Sequence, residues 1–357
     1  MYQYINVENY KKRIKFNQEI LSKIAKIDEF KGLWQGSLRL GPQILNRLKA
    51  SVLITSTGAS TRIEGSKMDD EEVSRLLRGL HASPPVGRDE QEVAGYADLL
   101  GRILDNYKTF KITDGQILQF HEILLHFAEK DQVHKGKYKS EPNTVIMKKE
   151  TGEVIVLFNP TPPYLVKKEM DDVIYWINEK MEKKELHPLM IIANFIFEFL
   201  AIHPFKDGNG RLSRALTNLL MLKNDYSYVP YVSMEEIIEE RRPDYYLSLR
   251  ATQKNHKTDH EDITAWVNFF LDVLIEQTER ARKIMDSDQP EKLLSEKQLQ
   301  IYKSFEQKDT LSKGEIFDLL GGVMPEVSIR QALSRLITLK LIERIGAGRA
   351  IRYKRLR

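Results

Sequence analysis

The 357-residue chain has no cysteine, which excludes disulfides, thiolate nucleophiles and cysteine zinc sites and fits a reducing compartment, so a cytoplasmic location is expected. Its start, Met1-Tyr-Gln-Tyr-Ile-Asn, lacks the basic stretch, apolar run and small-residue cleavage site of a secretion signal. Long apolar runs are lacking too. The longest, Leu189 to Ile202, carries Asn194 and Glu198 and falls short of the roughly 20 residues a bilayer needs, so it reads as a buried helix and no membrane partner is expected. There is no internal repeat and no low-complexity bias: 41% apolar and 30% charged residues are the proportions of a globular protein. Excess positive charge is missing from most of the chain. The net charge is +4, and residues 293–357 hold 13 Lys and Arg against 7 Asp and Glu, leaving 42 against 44 elsewhere.

What is present is helical periodicity. Apolar residues recur at three- and four-residue steps at 8–28, 43–56, 67–80, 90–107, 113–127, 167–183, 188–202, 210–223, 235–254, 261–285, 295–307, 313–319 and 328–339, which predicts an all-α protein. The exception is 143–158, two β-rich runs around Glu150-Thr-Gly152, read as a β-hairpin that ends in a stiff corner at Pro160, Pro162 and Pro163. A second small hairpin surrounds Gly346-Ala-Gly348. Polar, Gly and Pro residues interrupt the pattern at 81–87 and 285–290. The length and these breaks divide the chain into an N-terminal helical region (1–90), a central catalytic domain (91–287) and a C-terminal domain (293–357).

His187-Pro188 opens the apolar helix that delivers His203 to the end of a buried element. Two turn dipeptides follow, Asp207-Gly208 and Asn209-Gly210, and then a helix with Leu212, Leu216, Leu219 and Leu220 as its inward stripe. Glycines at a helix N-terminus let several N–H groups converge, and with the helix dipole they make an anion site suited to phosphate. Arg211 and Arg214 can grip further phosphate oxygens, and Asp207 supplies the hard oxygen that Mg²⁺ prefers beside a polyphosphate. His203, with a reference pKa of about 6.5, is placed to accept a proton from an attacking hydroxyl. Each element alone is an ordinary turn, cap or solvated face; the combination is not.

Taken together, His203, Phe205, Asp207, Gly208, Asn209, Gly210, Arg211 and Arg214 resemble the Fic motif His-x-Phe-x-Asp/Glu-Gly-Asn-Gly-Arg-x-x-Arg at all its defined positions. The resemblance extends over roughly 90–285. It implies a Fic-type helical bundle that uses ATP and Mg²⁺ to place AMP on a protein hydroxyl. His203 would be the base, Asp207 the Mg²⁺ ligand, and Asn209 with the Gly208 and Gly210 amides the holders of the α- and β-phosphates. Arg211 would lie beside them, Arg214 on the γ-phosphate, and Phe205 would anchor the loop. The 143–158 hairpin resembles the family's flap, which aligns a target segment through its backbone. Leu157, Phe158, Tyr245, Tyr246 and Gln253 are the implied adenine neighbours, although the aromatic ones fit a core equally well.

Upstream, Ser60-Thr-Arg-Ile-Glu64-Gly65 resembles the Ser/Thr-x-x-x-Glu-Gly/Asn pattern of the inhibitory helix of many Fic proteins. That implies a Glu64–Arg214 pair which keeps the arginine from the γ-phosphate. The same residues also read as a capping box, Thr61 with Glu64, ahead of a helix stop at Gly65. Residues 295–357 resemble a winged helix-turn-helix. Arg330, Gln331, Ser334, Arg335 and Arg349 are its candidate DNA contacts, and a protein-binding or dimerisation role is the alternative. The expected function is an autoinhibited protein adenylyltransferase. Self-modification and a homodimer are compatible with it. Its rivals are removal of AMP from a protein with Glu64 positioning water, another nucleotide or transferred group, and a nucleotide-sensing DNA-binding regulator.

Overall fold

The computed structural model describes residues 13, 15–36, 42–80, 83–148, 154–285, 294–346, 348 and 351–356. Its elements are α1 (Gln18–Gly36), α2 (Pro42–Ile63), α3 (Asp70–Gly79), α4 (Arg88–Asn106), α5 (Asp114–Leu124), β1 (Val145–Lys148) and β2 (Val154–Phe158). There follow α6 (Pro163–Lys183), α7 (Pro188–Ile202), α8 (Asn209–Lys223), α9 (Met234–Glu240), α10 (Arg242–Gln253) and α11 (Thr264–Met285). The C-terminal elements are α12 (Glu296–Ser304), β3 (Thr310–Leu311), α13 (Lys313–Leu319), α14 (Glu326–Thr338), β4 (Ile342–Ile345) and β5 (Arg352–Arg355). No described helix is long and apolar enough to cross a membrane.

The most apolar segment sets the centre. Every residue of α7 from Leu189 to Ile202 is buried, and the helix packs against α6, α8 and α11. A helix apolar on all sides can only be stable where neighbours cover all of them. Around it α2 packs on α4, α8 and α9, and α1 lies along α11. Helix α7 ends at His203, held left-handed at φ 50°, and α8 begins after Gly208 at φ 82°. The four residues between, 204–207, form the loop of the motif.

The first predicted helix, 8–28, is corrected: residues 15–17 are not helical and α1 runs from Gln18 to Gly36, while 1–12 and 14 lie outside the described residues. The single helix predicted over 235–254 is two, broken at Arg241, because Pro243 begins a new helix in its first turn. Thr61 is not an N-cap. It lies in the last turn of α2, where its hydroxyl donates to the Thr57 carbonyl (2.9 Å), so the capping-box reading fails, and Gly65 at φ 111° turns the chain. The cap of α3 is Asp69, in a capping box with Glu72.

Strands β1 and β2 pair antiparallel, Met147 opposite Ile155 and Lys148 opposite Val154. The tip of this hairpin, 149–153, lies outside the described residues, as does the side chain of Leu157. The C-terminal strands form a three-stranded sheet in the order β3-β5-β4. Here α14 packs on α3 and α2 rather than standing free. Ser334 is buried and Arg330 lies 3.5 Å from Asp69, so these two are covered by the same chain rather than fully exposed as the sequence suggests; Arg349 lies outside the described residues.

Candidate active site

His203 is positioned by its backbone before its side chain. Its N–H closes the end of α7 on the Phe199 carbonyl (2.9 Å), and Nδ1 lies 3.4 Å from the Leu200 carbonyl. A proton on Nδ1 leaves Nε2 as the acceptor. Burial first, and the positive charge of Lys139 second, push the imidazole down to about 4, so it is neutral at physiological pH.

The loop after it is clamped from several sides. The Asn209 side chain accepts from the Phe205 N–H (2.9 Å) and donates to the Phe205 carbonyl (2.8 Å), a closed ring that commits both its amide groups. What Asn209 leaves for a ligand is its main-chain N–H in the first turn of α8. Phe205 is fully buried and stacks on His121, with ring centroids 3.8 Å apart. His121 Nδ1 accepts from the Gly136 N–H (3.0 Å), so the proton is on Nε2 and donates to the Asp207 carbonyl (3.1 Å). Burial pushes this imidazole down to about 4, which keeps it in that neutral form. From the foot of the hairpin, Lys139 donates its N–H to the Pro204 carbonyl (2.9 Å) and its ammonium to the Ile202 carbonyl (3.2 Å) and Asn143 (2.7 Å). The Asn143 amide in turn donates to the Phe205 carbonyl (3.0 Å). Burial lowers the Lys139 ammonium to about 8.

Asp207 and Arg211 form the charged side of the site. The Asp207 carboxylate accepts from the Gly208 N–H (2.6 Å) and from Arg211 (3.1 Å), and Glu92 holds the other arm of that guanidinium at 3.0 Å. Burial would raise the Asp207 carboxyl, but Arg211 and the Gly208 amide outweigh it and hold it below its ordinary value. The acid is therefore ionised and partly open to solvent.

At the first turn of α8 a carboxylate lies against the glycine. A Cβ on Gly210 would lie 2.1 Å from Glu64 Oε1. Glu64 therefore sits directly on the glycine cradle. The same oxygen accepts from Arg214 Nη2 (2.8 Å), while Ser60 accepts from Arg214 through both its hydroxyl and its carbonyl (2.8 Å each). Arg214 is almost wholly buried, and its Nη1 has no hydrogen-bond partner. Beyond Glu64, Gly65 turns away and Arg62 locks the elbow. It makes a two-pronged contact with Glu239 (2.6 and 2.9 Å) and donates to Asp70 (2.9 Å) and the Met68 carbonyl (3.1 Å).

The implied adenine neighbours are more scattered. Tyr245 is buried in the core against Trp266 and Phe269. Tyr246 is partly buried and donates to the Ile63 carbonyl (3.3 Å), which brings it to the end of α2 beside Glu64. Phe158 stands 6.3 Å from the His256 ring, and Gln253 ends α10, partly buried. Among the described residues Glu198, His256 and Glu261 lie close enough to share a metal ion. Arg13 pairs with both carboxylates, so a guanidinium already supplies the positive charge there.

The site fits a magnesium polyphosphate on its own chemistry. A glycine cradle at a helix N-terminus, a buried arginine donor without a partner and one ionised carboxylate are what phosphate oxygens and a hard cation require. His121, Glu92, Lys139 and Asn143 escaped the sequence reading because none belongs to the motif. The sequence places Glu92 and His121 within predicted helices and Asn143 at the start of the predicted hairpin, with no sign that they meet the loop.

Comparison with known proteins agrees with this geometry. Residues 111–221 match the Fic/DOC family. The fold resembles a Fic family protein from Desulfovibrio desulfuricans G20 (TM-score 0.61, 25% identity, covering 96% of this chain and 97% of that one). A Fic domain containing signaling protein from Bacteroides thetaiotaomicron is similar (TM-score 0.61, 23% identity, 76% and 99% covered). The fold is thus a mostly helical Fic fold with a small three-stranded sheet near the C-terminus. Residues 111–221 thus match a Fic/DOC domain, and the chain is distantly similar to protein adenylyltransferases. Its relatives include protein adenylyltransferase fic-1 of Caenorhabditis briggsae, 30% identical over 192 residues, or 52% of this chain and 34% of that protein. The probable protein adenylyltransferase aq_aa38 of Aquifex aeolicus is 32% identical over 120 residues, 32% of this chain and 35% of that protein. The matched region therefore spans about a third of these relatives' length.

Proposed function

We propose that this protein transfers the AMP of ATP to a Ser, Thr or Tyr hydroxyl of a target protein, itself included, and that Glu64 holds it in check. The observation that carries this reading is the Glu64 carboxylate seated over Gly210 and bonded to Arg214. It occupies the place that the anion cradle is built for.

In the transfer, His203 Nε2 takes the proton of the target hydroxyl as that oxygen forms its bond to the α-phosphorus. The bond to pyrophosphate breaks, and pyrophosphate leaves with the electron pair. The amides of α8 and Arg211 hold phosphate oxygens, and Arg214 takes the terminal phosphate once Glu64 has left it. Asp207 would hold Mg²⁺, which neutralises charge that builds on the leaving group. The β1–β2 hairpin lends its backbone to the target segment, and Lys139 and Asn143 tie its foot to the carbonyls of the catalytic loop. While Glu64 is in place, one carboxylate both occupies Arg214 and repels the phosphate.

The test is Glu64→Gly incubated with ATP labelled on the α-phosphate, with and without cell lysate. Label in protein should rise, and His203→Ala added to that variant should remove it while nucleotide binding persists. No gain from Glu64→Gly would dismiss the inhibitory role. Label that survives His203→Ala would dismiss the base. A preparation of AMP-modified protein that only wild type can strip would assign Glu64 to removal instead.

A further inference from the structure

The second motif that the transfer reaction does not use is the C-terminal helix, strand, helix, helix and wing. Helices α13 and α14 are joined by a turn through Gly321 and Gly322, both left-handed (φ 72° and 69°), and the β4–β5 hairpin lies beside them. This is the element order in which a helix like α14 enters the major groove of DNA. In this structure that face meets acid from the same chain. Residues 69–72 are Asp69-Asp-Glu-Glu72, and they start α3. Arg330 lies 3.5 Å from Asp69, and Arg344 of β4 donates to Glu71 at 2.8 Å. The fit is incomplete. Arg330 Nε and Arg335 Nη1 are buried without hydrogen-bond partners, and a cleft of about 500 Å³, lined by Asp69, Glu71, Glu72, Lys313, Arg330 and Arg344, remains between the two.

We propose that the α14 and wing face binds duplex DNA through its phosphates, and that the acidic start of α3 occupies this face in its absence, so that DNA and α3 exclude each other. Two acids, Asp69 and Glu71, set against two arginines, Arg330 and Arg344, are a short stand-in for a phosphate backbone. Arg330, which lines the cleft, has a buried Nε that these carboxylates leave without a partner and that a phosphate oxygen could take. The inference stands apart from AMP transfer, because its readout is binding alone.

The experiment measures fluorescence anisotropy of a labelled duplex of about 20 base pairs, long enough for a helix in one groove and a wing beside it. The full chain is titrated at fixed salt near physiological strength. Asp69→Asn with Glu71→Gln removes both partners while Asn keeps the helix cap. It should tighten binding about fivefold, the scale of two partly exposed ion pairs. Arg330→Ala with Arg344→Ala should weaken binding at least as much in either background. Glu182→Gln with Glu185→Gln, an equal change of charge on and just beyond α6, should leave it as in wild type. The proposal is overturned if no variant binds, if the α6 control tightens equally, if the arginine variant binds like its parent, or if a single strand binds as tightly as the duplex.

Discussion

Two arginine sites in this molecule are filled by carboxylates from one short stretch, residues 64–71, and they are built differently. Arg214 is 3% exposed, is gripped by Ser60 through two oxygens, and meets Glu64 over a helix N-terminus. Arg330 is 37% exposed and has a single 3.5 Å contact with Asp69, with Arg344 and Glu71 beside it. A buried pair is hard to break by halves, because removal of one partner leaves an unpaired charge out of water. An exposed pair is weak and sensitive to salt. On the proposed reading the first contact is a latch on the anion cradle and the second a loose brace on the same elbow. Arg62 joins them, with one arm on Asp70 next to the brace and its backbone two residues from Glu64.

The largest expected effect comes from the cradle itself. Gly210→Ala places a methyl where Glu64 Oε1 now stands, 2.1 Å from the new carbon, and where the proposed phosphate must come. In the Glu64→Gly background it should lower transfer by about a hundredfold or more, the scale of losing preorganised anion stabilisation. Transfer that persists there would mean the glycine is not part of the anion site, and the latch would lose its meaning. Next comes pH. His203 has its proton removed above about 4, so transfer should show no loss from this group between about pH 5 and 8. Lys139→Met removes a positive neighbour that disfavours the imidazolium, which moves the acid limb upward and lowers the rate about tenfold at the acid end. An unmoved limb in a pH profile of kcat/KM would detach Lys139 from the base.

Much of this site is legible in the sequence and some is not, for a definite reason. The loop from His203 to Arg214 is continuous, so its turn residues, helix start and charges can be read together. Ser60 and Glu64 are legible only through their pattern, and the rival capping-box reading fails because Thr61 is still inside α2. His121, Glu92, Lys139 and Asn143 arrive from other elements, and nothing in their own neighbourhoods announces that they meet the loop. The face of α14 has a cover that is invisible from sequence alone for the same reason. Its arginines look solvent-facing until α3 is seen against them. The Arg241 break needed only local chemistry, Pro243 at a helix start, and periodicity overrode it.

Smaller effects sharpen the contrast between latch and brace. Arg62→Ala removes the two-pronged Glu239 contact and the Asp70 contact together, which frees the turn that presents Glu64. Transfer should rise about fivefold, at the low end of coupling between sites, and should not rise further when Glu64 is already glycine. A gain that persists without Glu64 would show that Arg62 acts on something else.

Arg330→Ala with Arg344→Ala loosens only the far end of the elbow. Partly exposed pairs of this kind contribute at most about 1 kcal/mol each, and part of that is lost before it reaches Glu64, so the expected gain in transfer is about twofold. It should shrink as salt is raised in the wild type, because salt weakens the same contacts. It should vanish in the Glu64→Gly background, where there is no latch left to brace. A twofold gain seen equally with and without Glu64 would separate the two arginine sites, and the elbow between them would be a connection in space only.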